Sequence, residues 1–145
     1  MSTLFNIFLT LLNIGFYLIL FTFMLRMLFQ FFKVSSHNPV VQSISHITNY
    51  LVMPLRDYIP KTRYIDLSTF LCWLILDLTK YTLIVYLSSG EVLSIIEYVY
   101  LIPADFAMQF LTIILYSTLF YTLINFVAPG LQSAGMDMIN GLSRP

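Results

Sequence analysis

Charge and cysteine are both scarce in this sequence. Seven Lys or Arg and seven Asp or Glu cancel, so no net charge remains to draw the chain to nucleic acid. The single cysteine, Cys72, sits inside an apolar run and can build neither a disulfide framework nor a cysteine metal site. Two histidines, His37 and His46, have no second ligand at metal spacing, so the ligand reading competes with that of solvated interfacial side chains. A nucleophile elbow, a phosphate loop and a metal-ligand cluster are all missing, so neither a catalytic activity nor a cofactor is expected. What fills the chain is apolar: 59% of residues are hydrophobic and only 10% charged, the balance of an integral membrane protein. The expectation is an all-α membrane protein whose first partner is the lipid bilayer.

Three runs reach the ~20 residues that a spanning helix needs. The first, Leu4 to Leu25, has no charged start, is too long for a signal peptide and is followed by no small-residue cleavage site. Arg26 closes it and can snorkel to the headgroups. Asn13 falls near its middle, where an amide needs a partner on another helix. The second span, Leu67 to Leu87, opens on Asp66 and Ser68, groups that suit a helix N-terminus. It carries Asp77 and Lys80, three apart on one face. Ser88, Ser89 and Gly90 break it. Val92 to Val99 then reads as a short surface helix, with Glu91, Ser94 and Glu97 towards water. The third span, Ala104 to Phe126, is marked at its start by Pro103 and Asp105. Along it, Asp105, Gln109, Thr112 and Tyr116 form a polar stripe expected to face other helices.

Between the first two spans lies the most informative stretch, His37 to Asp66. Asn38 followed by Pro39 reads as a capped helix start. Val40, Ile44, Ile47, Leu51 and Leu55 recur at helical spacing with Val41 and Val52 beside them, while Gln42, Ser43, His46 and Asn49 face the other way. Pro54 is expected to end this helix near Val52. Too short to span, an amphipathic helix here is expected to lie in the membrane interface, as a brace or as a groove for a ligand. The loop carries Arg26, Lys33, Arg56, Lys61 and Arg63 against Asp57 and Asp66, whereas the loop from Ser88 to Pro103 carries only Glu91 and Glu97. The positive-inside rule therefore predicts a cytoplasmic 33–66 loop, an external N-terminus and a cytoplasmic C-terminus, with which Arg144 agrees.

Arg26 and Gln30, Asn38-Pro39, Thr48, Pro54-Leu55-Arg56, Ile59-Pro60, Ile65-Asp66 and Ser68 together resemble the repeat of the YggT family, also called YlmG, of small bacterial and plastid membrane proteins. The chain departs from that pattern at Tyr50, where the family usually has proline, and at Asp57, where it often has a second basic residue. Of the basic pair only Arg56 carries over. Relatives carry the unit twice. A shift of 95 residues places Phe31 on Phe126, Ile44 on Ile139, Thr48 on Ser143 and Tyr50 on Pro145. The resemblance thus implies a first repeat over 1–102 and an incomplete second over 103–145. The first holds spans 4–25 and 67–87, loop 33–66 and acidic linker 88–102. A fourth span is expected in full-length relatives, and the 145 residues are read as a truncated member.

For function, the resemblance implies a non-catalytic inner-membrane scaffold or assembly factor in envelope maintenance, in osmotic stress tolerance, division or cofactor assembly. Its partners would be other membrane proteins or a second copy of itself. The alternative is a component of an ion or proton pathway that uses Asp77 and Lys80, since a charge at mid-span is costly and needs a reason; local neutralisation of the pair is the simpler account. Arg56, Lys61 and Arg63 are read either as contacts for anionic lipid headgroups or as a plain topology signal.

Overall fold

In the computed structural model, residues 2–60, 66–127 and 140–143 are described. The Ser2 hydroxyl accepts from the Phe5 amide and opens α1, Thr3–Phe31. At 1.5 Å per residue α1 is about 43 Å long and overshoots a ~30 Å hydrocarbon core. Its two halves differ accordingly. Leu4, Leu11 and Leu18 are exposed, whereas Leu20, Phe23, Met24, Arg26, Met27, Leu28 and Phe29 are buried. The helix ends in a Schellman-type turn: the Val34 amide reaches back to the Phe29 carbonyl at 2.9 Å, with Lys33 at φ 53.

Asn38 caps the next helix as predicted, its Oδ1 accepting from the Val40 amide at 3.0 Å with Pro39 in the first turn. That helix, α2, runs Pro39–Arg56 and does not stop near Val52. Pro54 removes one hydrogen bond, to the Tyr50 carbonyl. Both residues are exposed, so solvent or headgroups can satisfy that carbonyl, while Leu55 packs on the core and Arg56 reaches Asp66. The buried stripe also differs from the predicted apolar face. Val41, Ile44, Thr48, Val52 and Leu55 turn inward, whereas Val40, Ile47 and Leu51 remain exposed on one flank.

α3, Leu67–Ser89, starts on Asp66, whose Oδ1 accepts from the Ser68 amide at 3.2 Å. It stops at Gly90, which takes φ 74 and donates to the Tyr86 carbonyl at 2.9 Å. Only glycine adopts that left-handed conformation without cost. α4 is a single helix, Ile95–Val127, in place of the predicted surface helix and separate third span. A capping box sets its start. Ser94 and Glu97 bond reciprocally, with Glu97 Oε2 accepting from the Ser94 amide at 2.7 Å and Ser94 Oγ accepting from the Glu97 amide at 3.4 Å. Pro103 is thus interior to the helix and costs one bond, which membrane helices tolerate.

α1 packs chiefly on α3, with α2 laid across their shared end. The core joins the C-terminal half of α1 to Val41, Val52, Cys72, Trp73, Ile113 and Leu142. Elsewhere α1, α3 and α4 present long apolar flanks, such as Leu111, Leu115, Leu119 and Leu123, that only lipid or other helices can cover. Three described helices are long and apolar enough to cross a membrane, and among the described residues no strand occurs.

Candidate functional site

Two polar clusters stand inside this otherwise apolar structure. The first gathers at the α2 end of the bundle. Arg26, 4% exposed, points from α1 at α2; its Nη1 donates to Thr48 Oγ1 at 2.6 Å, Asn49 Oδ1 at 2.8 Å and the Ser45 carbonyl at 3.3 Å. Its Nη2 lies 3.9 Å from Asp66 Oδ2. That oxygen also accepts from Arg56 Nη2 at 2.7 Å, and Gln30 Oε1 accepts from the Asp66 amide at 3.2 Å. One carboxylate therefore binds the ends of α1, α2 and α3 together. Burial pushes the Asp66 carboxyl up, but the hydrogen bond and charge of Arg56, together with hydrogen bonds from Thr69 and the Ser68 amide, hold the group below the usual carboxylate range.

The structure thus brings Arg26, Gln30, Thr48, Arg56 and Asp66 into one cluster, with Asn38 and Pro39 opening the helix that supplies Thr48 and Arg56. Pro54 and Pro60 lie exposed at the end of α2 and just beyond it. Asn49, read as facing away from the apolar side, is instead a direct partner of Arg26. Lys61, Arg63, Ile65, Ile139, Arg144 and Pro145 fall outside the described residues. His37 and His46 are both exposed, and the His46 ring sits 5.8 Å from that of Tyr50. Beside the cluster, His46, Asn49, Tyr50, Met53, Pro54 and Asp57 line an open groove of about 560 Å³ on the outward side of α2.

The second cluster lies near mid-span between α3 and α4. Lys80 Nζ is 2.8 Å from Asp77 Oδ1 on its own helix and 2.6 Å from Asp105 Oδ2 across the interface. Asp105 Oδ2 also accepts from Gln109 Nε2 at 3.1 Å, and Gln109 Oε1 accepts from Trp73 Nε1 at 3.2 Å. Farther along, the Thr82 and Tyr98 hydroxyls meet at 2.6 Å. α3 and α4 are joined by this polar ladder and by the rings of Phe70, Trp73 and Phe106, the last two 5.1 Å apart edge to face. The predicted pairing of Asp77 with Lys80 is present, but Asp105 is its third member and not merely an acid at a helix start. Its signal was the i,i+4 spacing of Asp105 and Gln109. The stripe continues through Ile113 and Ser117, both buried, while Tyr116 is half exposed. Asn13, expected to find a partner on another helix, is exposed on α1.

Apolar helices of spanning length, with buried charge confined to two clusters among the described residues, define an α-helical membrane protein. A family model for CCB3/YggT proteins matches residues 1–87, and the chain belongs to that family. No curated protein and no solved structure matches it. The matched region holds α1, α2, nearly all of α3 and the whole first cluster; Asp105 and Gln109 lie beyond it.

Proposed function

We propose that this family member is a non-catalytic scaffold or assembly factor of the bacterial inner membrane, acting in envelope maintenance, with α2 as its cytoplasmic platform. The observation that carries the reading is how the motif residues are used. Arg26, Thr48, Arg56 and Asp66 are committed to one another, so they hold α2 in place and leave its outward face, with His46, Tyr50, Met53 and Asp57, to meet other membrane proteins. Burial of one flank in headgroups orients an amphipathic helix, and the clamp adds a fixed position against α1 and α3. The test is site-specific photo-crosslinking in native membranes. A crosslinker at Tyr50 or Met53 should capture one defined partner, whereas one at buried Val52 should not, and Tyr50→Ala should lower osmotic-shock survival at normal accumulation. Equal capture at all three positions, or full survival of the variant, would count against the platform.

A second reading rests on the Asp77–Lys80–Asp105 cluster. Charged groups at a helix centre cost roughly 2.5–3.5 kcal/mol each on insertion scales and mark ion or proton paths. Proton or ion flux into proteoliposomes, with and without Asp77→Asn, tests it; absence of flux removes it.

A further inference from the structure

The second cluster has one ammonium for two carboxylates. Lys80 Nζ touches both, at 2.8 Å and 2.6 Å, so the two acids stand within the ~4–6 Å range over which like charges suppress each other's ionisation. Asp105 is well supplied: Lys80 and Gln109 both donate to its Oδ2, and its side chain is 19% exposed. Asp77 is not. Its side chain is fully buried, its Oδ1 meets Lys80 only as an ion contact, and its Oδ2 has no hydrogen-bond partner among the described residues. A carboxylate with a bare oxygen is the form that a membrane interior tolerates least.

The other groups near the cluster do not cancel the surplus charge. On α3 the Tyr81 ring lies under Lys80 Nζ, 4.2 Å from its centroid, and is neutral at ordinary pH. On α4 the neighbours of Asp105 are the uncharged Gln109 and, through it, Trp73 of α3. The charged residue of α1 is Arg26, which is bound to α2 and Asp66. Asp66 is eleven residues before Asp77 on the same helix, about 16 Å away at 1.5 Å per residue. No second cation therefore faces Asp77 among the described residues.

We propose that Asp77 and Asp105, arranged about Lys80, form a site for one exchangeable proton in the membrane, with the proton resting on Asp77. Uptake is the simple balance of a carboxylate and a proton giving a carboxylic acid; it leaves Lys80 and Asp105 as a neutral ion pair and removes the unpaired charge. The occupancy rule is definite. The number of protons held at neutral pH equals the number of acids in the cluster less the number of ammonium groups. Wild type holds one. Asp77→Asn and Asp105→Asn each hold none, because the remaining acid is then matched by Lys80. Lys80→Met holds two.

Infrared spectroscopy of the full chain in lipid vesicles reads this directly through the C=O stretch of a protonated carboxyl, identified by its shift in heavy water. At neutral pH the wild type should show the band and lose it at strongly alkaline pH. Either asparagine variant should lose it, and Lys80→Met should show about twofold its intensity. A wild-type chain without the band overturns the proposal, as does a band of wild-type size in Asp77→Asn. A band seen only when sodium is replaced by choline also overturns it, since the site would then take a metal cation. Asparagine matches aspartate in shape, and the wild-type measurement needs no variant, so misfolding of Lys80→Met does not leave the question open. The proposal uses the cluster of the second reading but not its flux. A band without flux keeps the proton site and removes transport; flux that survives Asp77→Asn, with no band, keeps a pathway and removes this site.

Discussion

Replacing Asp66 should be among the most damaging single changes in the chain. Its carboxylate caps α3, accepts from Arg56 and faces Arg26, so Asp66→Ala removes a cap and strands a buried guanidinium. Losing a cap costs about 1 kcal/mol. Breaking a buried ion pair by removing one partner costs about 3–5 kcal/mol. The lower end applies here, because Arg26 keeps its bonds to Thr48 and Asn49 and Arg56 is a quarter exposed, where solvent screens it. The alanine variant should therefore lose about 4 kcal/mol, a large share of the 5–15 kcal/mol that folded domains possess. Asp66→Asn keeps a good cap and loses only the charge, so it should lose about 3 kcal/mol. Thermal unfolding in detergent, followed by circular dichroism and by proteolysis of the α2–α3 loop, measures both. Acid should reproduce the effect. A carboxyl held below its ordinary value stabilises the fold above the unfolded value of about 4, and that contribution is lost as pH falls through the folded value. Asp66→Asn should lack this acid step. An asparagine variant that melts like wild type and retains the acid step would refute the clamp.

Two further outcomes follow from the geometry and a third from the charge of the loops. Lys80→Leu should lower membrane accumulation and thermal stability more than Asp77→Leu, because it leaves the buried Asp77 and the part-buried Asp105 without a counter-charge, and the double change should recover part of the loss; strictly additive effects in the cycle would contradict the cluster. Gly90→Ala should cost about 1–2 kcal/mol of stability through backbone conformation alone, since nothing lies near the added methyl and φ is 74; an unchanged melting temperature would contradict the assigned cap. Single cysteines at Ser36 and Ser89, labelled in intact cells with an impermeant thiol reagent, should react at Ser89 and not at Ser36; the reverse pattern would overturn the cytoplasmic assignment of the α2 side.

Much of the fold was legible because its signals are local. Long apolar runs placed the spans, Asn38-Pro39 placed the start of α2, and Asp66 and Gly90 bounded α3. Where the reading failed, two local signals conflicted. Pro54 argued for a helix end and Pro103 for a helix start, but packing of Leu55 and the reach of Arg56 carry α2 past Pro54, and the Ser94–Glu97 box starts α4 upstream of Pro103. The stripe on α4 was misassigned by a single step. Tyr116 and Ser117 are adjacent, and a helical period of 3.6 lets either continue a line from Gln109. The clusters were harder still. Arg26, Thr48 and Asp66 are separated by long stretches of chain, and the family pattern marks them without saying that they touch. Asp105 joins Lys80 only because α4 returns antiparallel to α3, a relation that no periodicity within either helix contains.

In the proposed reading the motif residues fix α2 in one orientation at the membrane surface. Spin-label accessibility on α2 in lipid vesicles tests it most directly. Labels at Ile47 and Leu51 should contact lipid, a label at Ser43 should contact water, and labels at Val41 and Val52 should be shielded from both. With Asp66→Asn, this three-way pattern should blur. Equal, water-like accessibility at all five positions in the wild-type chain would contradict the claim.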